Sequence, residues 1–213
     1  MDDAAKAAIS AKMCLSRRLP RKRVMNASSP DVDGVDFSRI FDAPAVPSVP
    51  AVDVAAQKKL EAETEIGLRT LARDGAYVRL VTPGAVPVIA PVSPRVLVVE
   101  DDVGTANLIE RVLVKGGYTV IRAHHRAEIV AALNQAVPDL VLLDVMLPDA
   151  NGFDVLTRIR AHRKLAEVPV MMLTSLDSAD DVGQGLALGV NGYLSKPISP
   201  ATLLASIHEC LGD

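Results

Sequence analysis

This chain has no tryptophan, and three phenylalanines and three tyrosines hold its aromatic content to 3% of 213 residues. Any core it builds is therefore aliphatic. Cysteine is scarcer still: Cys14 and Cys210 stand alone, with no paired spacing. That excludes a disulfide framework and a zinc site, and reads as free thiols in a reducing compartment. No stretch approaches the roughly 18 consecutive apolar residues that a membrane span requires. Arg17, Arg18, Arg21, Lys22 and Arg23 precede no apolar run, so they do not open a secretory signal. A glycine-rich phosphate-binding motif of the Walker kind is missing too, which removes the ATPase route. The expected location is the cytoplasm.

What is present is unevenly spread. Residues 1–94 hold 9 of the 14 prolines and 13 basic against 11 acidic side chains, a net charge of +2. Residues 95–213 hold 10 basic and 15 acidic side chains, a net charge of −5. The asymmetry divides the chain into an N-terminal extension, 1–94, and an acidic folded domain, 95–213, long enough to bury a core.

The extension is expected to be largely disordered or extended, with one amphipathic helix. Residues 4–19 suit a short helix ended by Pro20, and 26–56, rich in Pro, Ala, Ser, Val and Asp, suit a semi-extended linker. The basic cluster lacks aromatics and reads as solvated rather than as a nucleic-acid or lipid contact, since phosphate binding takes many such residues. Met25 follows it directly, which leaves open whether residues 1–24 belong to the native product. From 52 to 73, Leu60, Thr64, Leu68 and Leu71 recur at helical spacing among Lys58, Lys59, Glu61, Glu63 and Glu65, with Gly75 as the stop. The stripe on that helix has three candidate partners: the C-terminal domain, a copy of itself, or another protein. Pro83, Pro87, Pro91 and Pro94 mark 77–94 as an extended tether, because prolines do not sit in a central strand.

From Arg95 the pattern becomes a regular alternation. Apolar strand-like runs at 96–99, 118–121, 139–143, 168–173 and 190–194 are each followed by a helical run, at 106–115, 127–136, 152–162, 179–188 and 200–211. Five strand–helix pairs with short connections imply a parallel sheet covered by helices on both faces, a doubly wound, flavodoxin-like α/β fold. In such folds ligands sit outside the carboxyl ends of the strands. Those ends carry Glu100-Asp101-Asp102, Asp144, Thr174-Ser175 and Lys196-Pro197.

Several carboxylates gathered in one crevice repel one another and demand a counter-charge. A hard divalent cation with oxygen ligands supplies it, and Mg²⁺, which takes one or two carboxylates and keeps several waters, fits best. With the Lys196 ammonium and the Thr174 hydroxyl, the set suits a phosphoryl group attacked in line by Asp144. Singly, each residue has a plainer reading: Asp102 as a helix cap, Lys196 as surface charge, Thr174 as a strand terminus. Four such accidents together at strand ends are a poor account.

These residues resemble the receiver domain of two-component response regulators over 95–213. Pro148 and Gly152 stand four and eight residues after Asp144, Thr174 thirty after it and Lys196-Pro197 fifty-two after it. The resemblance implies that Asp144 is the phospho-acceptor, forming a 4-aspartylphosphate. It makes Asp101 a direct Mg²⁺ ligand and Glu100 one acting largely through water, with the carbonyl of Met146 completing the shell. Thr174 becomes the switch hydroxyl, Tyr193 the aromatic whose rotamer follows it, and Lys196 the contact to phosphoryl oxygens, within a cis Lys196-Pro197 peptide. Glu100 stands where Asp is common. Met146 and Leu176 are apolar, leaving no side chain there to orient a hydrolytic water.

The expected function is a stand-alone, non-enzymatic receiver in a phosphorelay, phosphorylated by a sensor histidine kinase or phosphotransfer protein and acting on a downstream protein. Residues 198–211 hold no Lys or Arg and only Glu209 as an acid. The face of the fourth helix, fifth strand and fifth helix is therefore expected to be an apolar partner surface rather than a dimer seam of reciprocal charge pairs; a homodimer is one option for the protein as a whole. No helix-turn-helix follows the last helix before Asp213, so direct DNA binding is not expected. The alternatives are a structural receiver that is never phosphorylated and an aspartyl-phosphate-forming phosphatase. The latter would want a second Asp where Met146 stands.

Overall fold

The computed structural model describes residues 36–42, 54–79, 93–175 and 179–212. In chain order they form α1 (Val54–Asp74), β1 (Ala76–Val78), β2 (Arg95–Val99), α2 (Val103–Lys115), β3 (Thr119–Ala123) and α3 (Arg126–Gln135). There follow β4 (Leu140–Asp144), α4 (Gly152–Ala161), β5 (Val170–Thr174), α5 (Ala179–Ala187), β6 (Gly192–Ser195) and α6 (Pro200–Leu211). One sheet runs in the order β1-β6-β5-β4-β2-β3. Strands β2 to β6 pair in parallel, as the alternation predicted.

The sheet is buried on both faces, which is why its strands read as unbroken aliphatic runs. Successive side chains along a strand point to opposite faces. Leu97, Val99, Val141, Leu143, Val170 and Met172 join one apolar layer, with Ile129, Leu156, Ile159, Val182 and Leu186 from α3, α4 and α5. Val96, Val98, Leu140, Leu142, Met171 and Leu173 join the other, with Ile109, Leu113, Leu203 and Ile207 from α2 and α6. Three of the helices, α2, α4 and α6, start on polar caps. Asp102 accepts from Thr105 N at 2.7 Å, Asn151 from Phe153 N at 2.8 Å, and Ser199 precedes Pro200 at the first turn of α6. Each cap satisfies a backbone N–H that the helix cannot. Asp102 thus takes the capping role foreseen for it.

The extension departs from the sequence reading in two ways. The expected sheet had five parallel strands; a sixth, β1, pairs antiparallel on the β6 edge. The helix expected at 52–73 is α1, and among its three candidate partners it takes the C-terminal domain, with Leu71 buried and Leu60 and Leu68 packed on the same apolar layer. Within the stretch read as a linker, residues 36–42 also dock. Phe37 is 1% exposed, its ring 4.7 Å from that of His162, and its N–H donates to Asn134 Oδ1 at 2.8 Å. Arg126 and Arg158 place their guanidinium groups 5.5 and 5.6 Å from the Phe41 ring centre, a distance at which the ring's quadrupole attracts the cation. The helix expected at 4–19, the basic cluster, Cys14 and most of the proline tether lie outside the described residues. Cys210 is unpaired, and burial pushes its thiol up to about 11. Among the described residues, no helix is long and apolar enough to cross a membrane.

Candidate functional site

The chain reverses its direction of winding between β2 and β4, which lie side by side with β3 and β5 outside them. Doubly wound folds open a crevice at that point, beyond the carboxyl ends of the strands. Glu100 follows β2 directly, and Asp144 is the last residue of β4. Both are buried, at 1% and 5% exposure, although carboxylates are seldom buried without a partner.

The partner is Lys196, carried in from the end of β6. Its Nζ donates to Asp144 Oδ2 at 2.7 Å and to Glu100 Oε1 at 2.9 Å. The approach is fixed by backbone: Lys196 N–H donates to Thr174 O at 2.8 Å, and the Lys196-Pro197 peptide is cis. Burial pulls the ammonium down, but its bonds to Asp144 and Glu100 outweigh that and hold it above the ordinary lysine value. The Glu100 carboxyl is raised as well, which for an acid favours the neutral form. Burial, with the neighbouring Asp144 charge and against the pull of Lys196, pushes it up to about 7.

Glu100, Asp101 and Asp144 each offer a carboxylate oxygen, all within 4.8 Å of one another. Glu100 Oε2 is buried with no hydrogen-bond donor aligned to it, although Nζ lies 2.8 Å away. Asp101 is exposed and faces the solvent side. Three hard oxygens, one of them with an unsatisfied buried lone pair, suit a divalent cation of the Mg²⁺ class. Met146 enters through its backbone: its N–H donates to Asp144 Oδ1 at 3.2 Å, while the side chain is 66% exposed.

Thr174 ends β5, directly beside β4, and is 3% exposed. Tyr193 lies in β6, buried and turned inward, its hydroxyl donating toward the carbonyls of Asp181 and Val182, each at 3.2 Å. Tyr193 apart, each predicted site residue therefore stands at the end of β2, β4, β5 or β6, or in the loop that follows. Leu176 lies outside the described residues.

Two glycines matter more than the sequence alone revealed. A Cβ on Gly152 would fall 2.2 Å from Asp144 O, so the loop that carries Asp144 can close only over a glycine. A Cβ on Gly185 would fall 1.9 Å from the Tyr193 hydroxyl, so α5 leaves room for the inward tyrosine only there. A glycine in mid-helix is costly relative to alanine, and its place within the α5 pattern was the available signal.

The family model for the response regulator receiver domain matches residues 96–208. Among curated proteins, the chain is 37% identical over 118 residues to the DNA-binding dual master transcriptional regulator RpaA of Synechocystis, covering 55% of this chain and 49% of that one. It is 44% identical over 117 residues to the transcriptional regulatory protein GltR of Pseudomonas aeruginosa, covering 54% and 48%. The chain thus spans about half the length of the curated relatives it matches. Among solved structures it resembles the receiver domain of sensor histidine kinase PA1611 of Pseudomonas aeruginosa, determined with a magnesium ion in the active site cleft. That likeness has 29% identity and a TM-score of 0.52, over 57% of this chain and 99% of that one. Because the family match takes in just over half of its length, the chain belongs to the response regulator receiver domain family.

Proposed function

We propose that the protein is a phosphorylation switch of the cytoplasm, in which Asp144 accepts a phosphoryl group from a histidine kinase or phosphotransfer protein and passes the signal on by protein contacts. The observation that carries this reading is the bridge from Lys196 Nζ to Asp144 and Glu100 in a buried crevice. A carboxylate already paired with a cation, beside two more acids, suits a reaction that adds negative charge.

In the transfer, a carboxylate oxygen of Asp144 forms the new P–O bond as the donor's P–N bond breaks. The donor imidazole keeps the bonding pair and takes up a proton. Lys196 can follow the new charge, since its ammonium needs only to turn from the carboxylate to a phosphoryl oxygen. Glu100, Asp101 and Asp144 would hold a divalent cation, which when bound neutralises phosphoryl charge. Thr174, on the neighbouring strand, would donate its hydroxyl to the phosphoryl group, and Tyr193 would report that movement to α5.

Acetyl phosphate with Mg²⁺ tests the assignment. Wild-type protein is expected to take up one phosphoryl group, seen as a shifted band on a phosphate-affinity gel, and Asp144→Ala none. Equal labelling of the two proteins would contradict the role of Asp144. With the apolar Met146 and Leu176 two residues beyond Asp144 and Thr174 in sequence, the label should also outlast a brief chase rather than vanish within seconds.

A pH dependence follows from Glu100. Its folded-state value of about 7 lies above the ordinary 4.5, so the protonated form favours folding. That contribution is full below about 4.5 and is lost as the pH rises through about 7. A cation held among the three carboxylates would relieve the loss. Mg²⁺ should therefore raise the melting temperature more at pH 8 than at pH 5, and equal shifts would count against Glu100 as part of the metal site.

A further inference from the structure

The side of the domain formed by α5 and β6 is already occupied by the extension. Gly67 on α1 is buried, and a Cβ there would lie 3.3 Å from Val182 Cγ1 of α5 and 3.4 Å from the Tyr77 ring. Across the contact, a Cβ on Gly183 would lie 3.3 Å from Thr64 Oγ1. The two helices thus meet through small residues on both sides. Beside them β1 runs along β6 with Ala76, Tyr77 and Val78 opposite Leu194, Tyr193 and Gly192. Ser195 N–H donates to Gly75 O at 2.9 Å, and Arg79 N–H to Asn191 O at 2.7 Å. The Arg79 side chain ties the two pieces together, reaching Glu63 of α1 at 2.9 Å.

This placement bears directly on Tyr193. Residues directly opposed in an antiparallel pair project to the same face, so Tyr77 stands beside Tyr193 on the face that α1 and α5 cover. The Val182 carbonyl that accepts from the Tyr193 hydroxyl belongs to the residue whose side chain meets Gly67. Were β1 absent, β6 would be an edge strand and the tyrosine could swing out past it. With β1 paired, Tyr77 and the Gly67 turn of α1 fill that space.

We infer that docking of α1–β1 holds Tyr193 inward, so that the extension acts as an intramolecular effector which favours phosphorylation of Asp144 and is in turn held more tightly by it. The inference rests on the phospho-acceptor reading above. Coupling of this kind is reciprocal: whatever the extension adds to phosphoryl affinity, the phosphoryl group returns to docking. It also assigns the expected apolar partner surface an occupant, a segment of the same chain.

Beryllium fluoride, a phosphoryl mimic, reads both directions in the full chain with Mg²⁺. Hydrogen exchange of the amides of 60–79 is expected to slow by roughly fivefold or more when the mimic binds. Unchanged or faster exchange overturns the inference. Gly67→Arg places a bulky cation in the helix contact without touching the crevice. It should free the α1 amides and weaken mimic binding by roughly fivefold or more, whereas unchanged affinity in a variant whose α1 amides exchange freely overturns the coupling. If wild-type protein and Asp144→Ala bind the mimic alike, the phospho-acceptor reading itself has failed, and the coupling with it. Binding confined to wild type, with no effect on the extension, removes the coupling alone.

Discussion

Gly152→Ala is expected to lower stability by roughly 1–3 kcal/mol, the usual cost of forcing an extra methyl into filled space, and to slow phosphorylation of Asp144. The added Cβ would sit 2.2 Å from Asp144 O, 2.9 Å from Val145 Cα and 3.1 Å from Asp144 C. All three are backbone atoms, so no flexible side chain can give way. The loop has little freedom to move as a body. Gly152 N–H donates to Val145 O at 2.8 Å, Leu147 N–H to Ala150 O at 3.2 Å, and Asn151 caps α4. Relief must come by shifting Asp144 away from Lys196 or by pulling the first turn of α4 from its cap. Urea unfolding and the rate of labelling by acetyl phosphate measure the two consequences. A variant with both unchanged would show that the loop is looser than its hydrogen bonds imply.

Lys196→Met should produce a second large effect, and one that depends on pH. The substitution leaves Glu100 and Asp144 buried and facing each other without a cation. Breaking a fully buried ion pair costs about 3–5 kcal/mol. The Lys196 side chain is 23% exposed, so solvent screening brings the expectation down to roughly 1–3 kcal/mol at pH 8. At pH 5 the cost should shrink, because Glu100, already raised to about 7 with Lys196 present, takes up a proton and the repulsion ends. Mg²⁺ should recover part of the loss at pH 8 by the same reasoning. Chemical denaturation at the two pH values separates this from a simple packing defect, which would cost the same at both.

The acid–lysine crevice was legible in the sequence because each of its members closes a strand. An aliphatic run ending in Asp144 places that carboxylate at the rim of the sheet, and the same holds for Glu100, Thr174 and Lys196. The parallel pairing follows from the short strand–helix–strand connections. The extension was harder to read. The stripe of Leu60, Leu68 and Leu71 announces a helix with something to bury, but a single stripe carries no information on what buries it. The strand Ala76–Val78 is three residues long, too short to show an alternation. Segment 36–42 did carry a signal, since Phe37 and Phe41 are two of only three phenylalanines in the chain. In a sequence so poor in aromatics, a pair placed among prolines and aspartates marks an anchor more than a linker.

The account turns on a phosphoryl group carried by one carboxylate. An acyl phosphate is reduced by borohydride to the alcohol, so a phosphorylated aspartate becomes homoserine at its own position. Treating the protein with acetyl phosphate and Mg²⁺, quenching with borohydride and mapping peptides by mass spectrometry therefore reads the site directly. The result predicted is homoserine at position 144 alone, absent when Mg²⁺ is chelated. Homoserine at another acid, or at none, would contradict it.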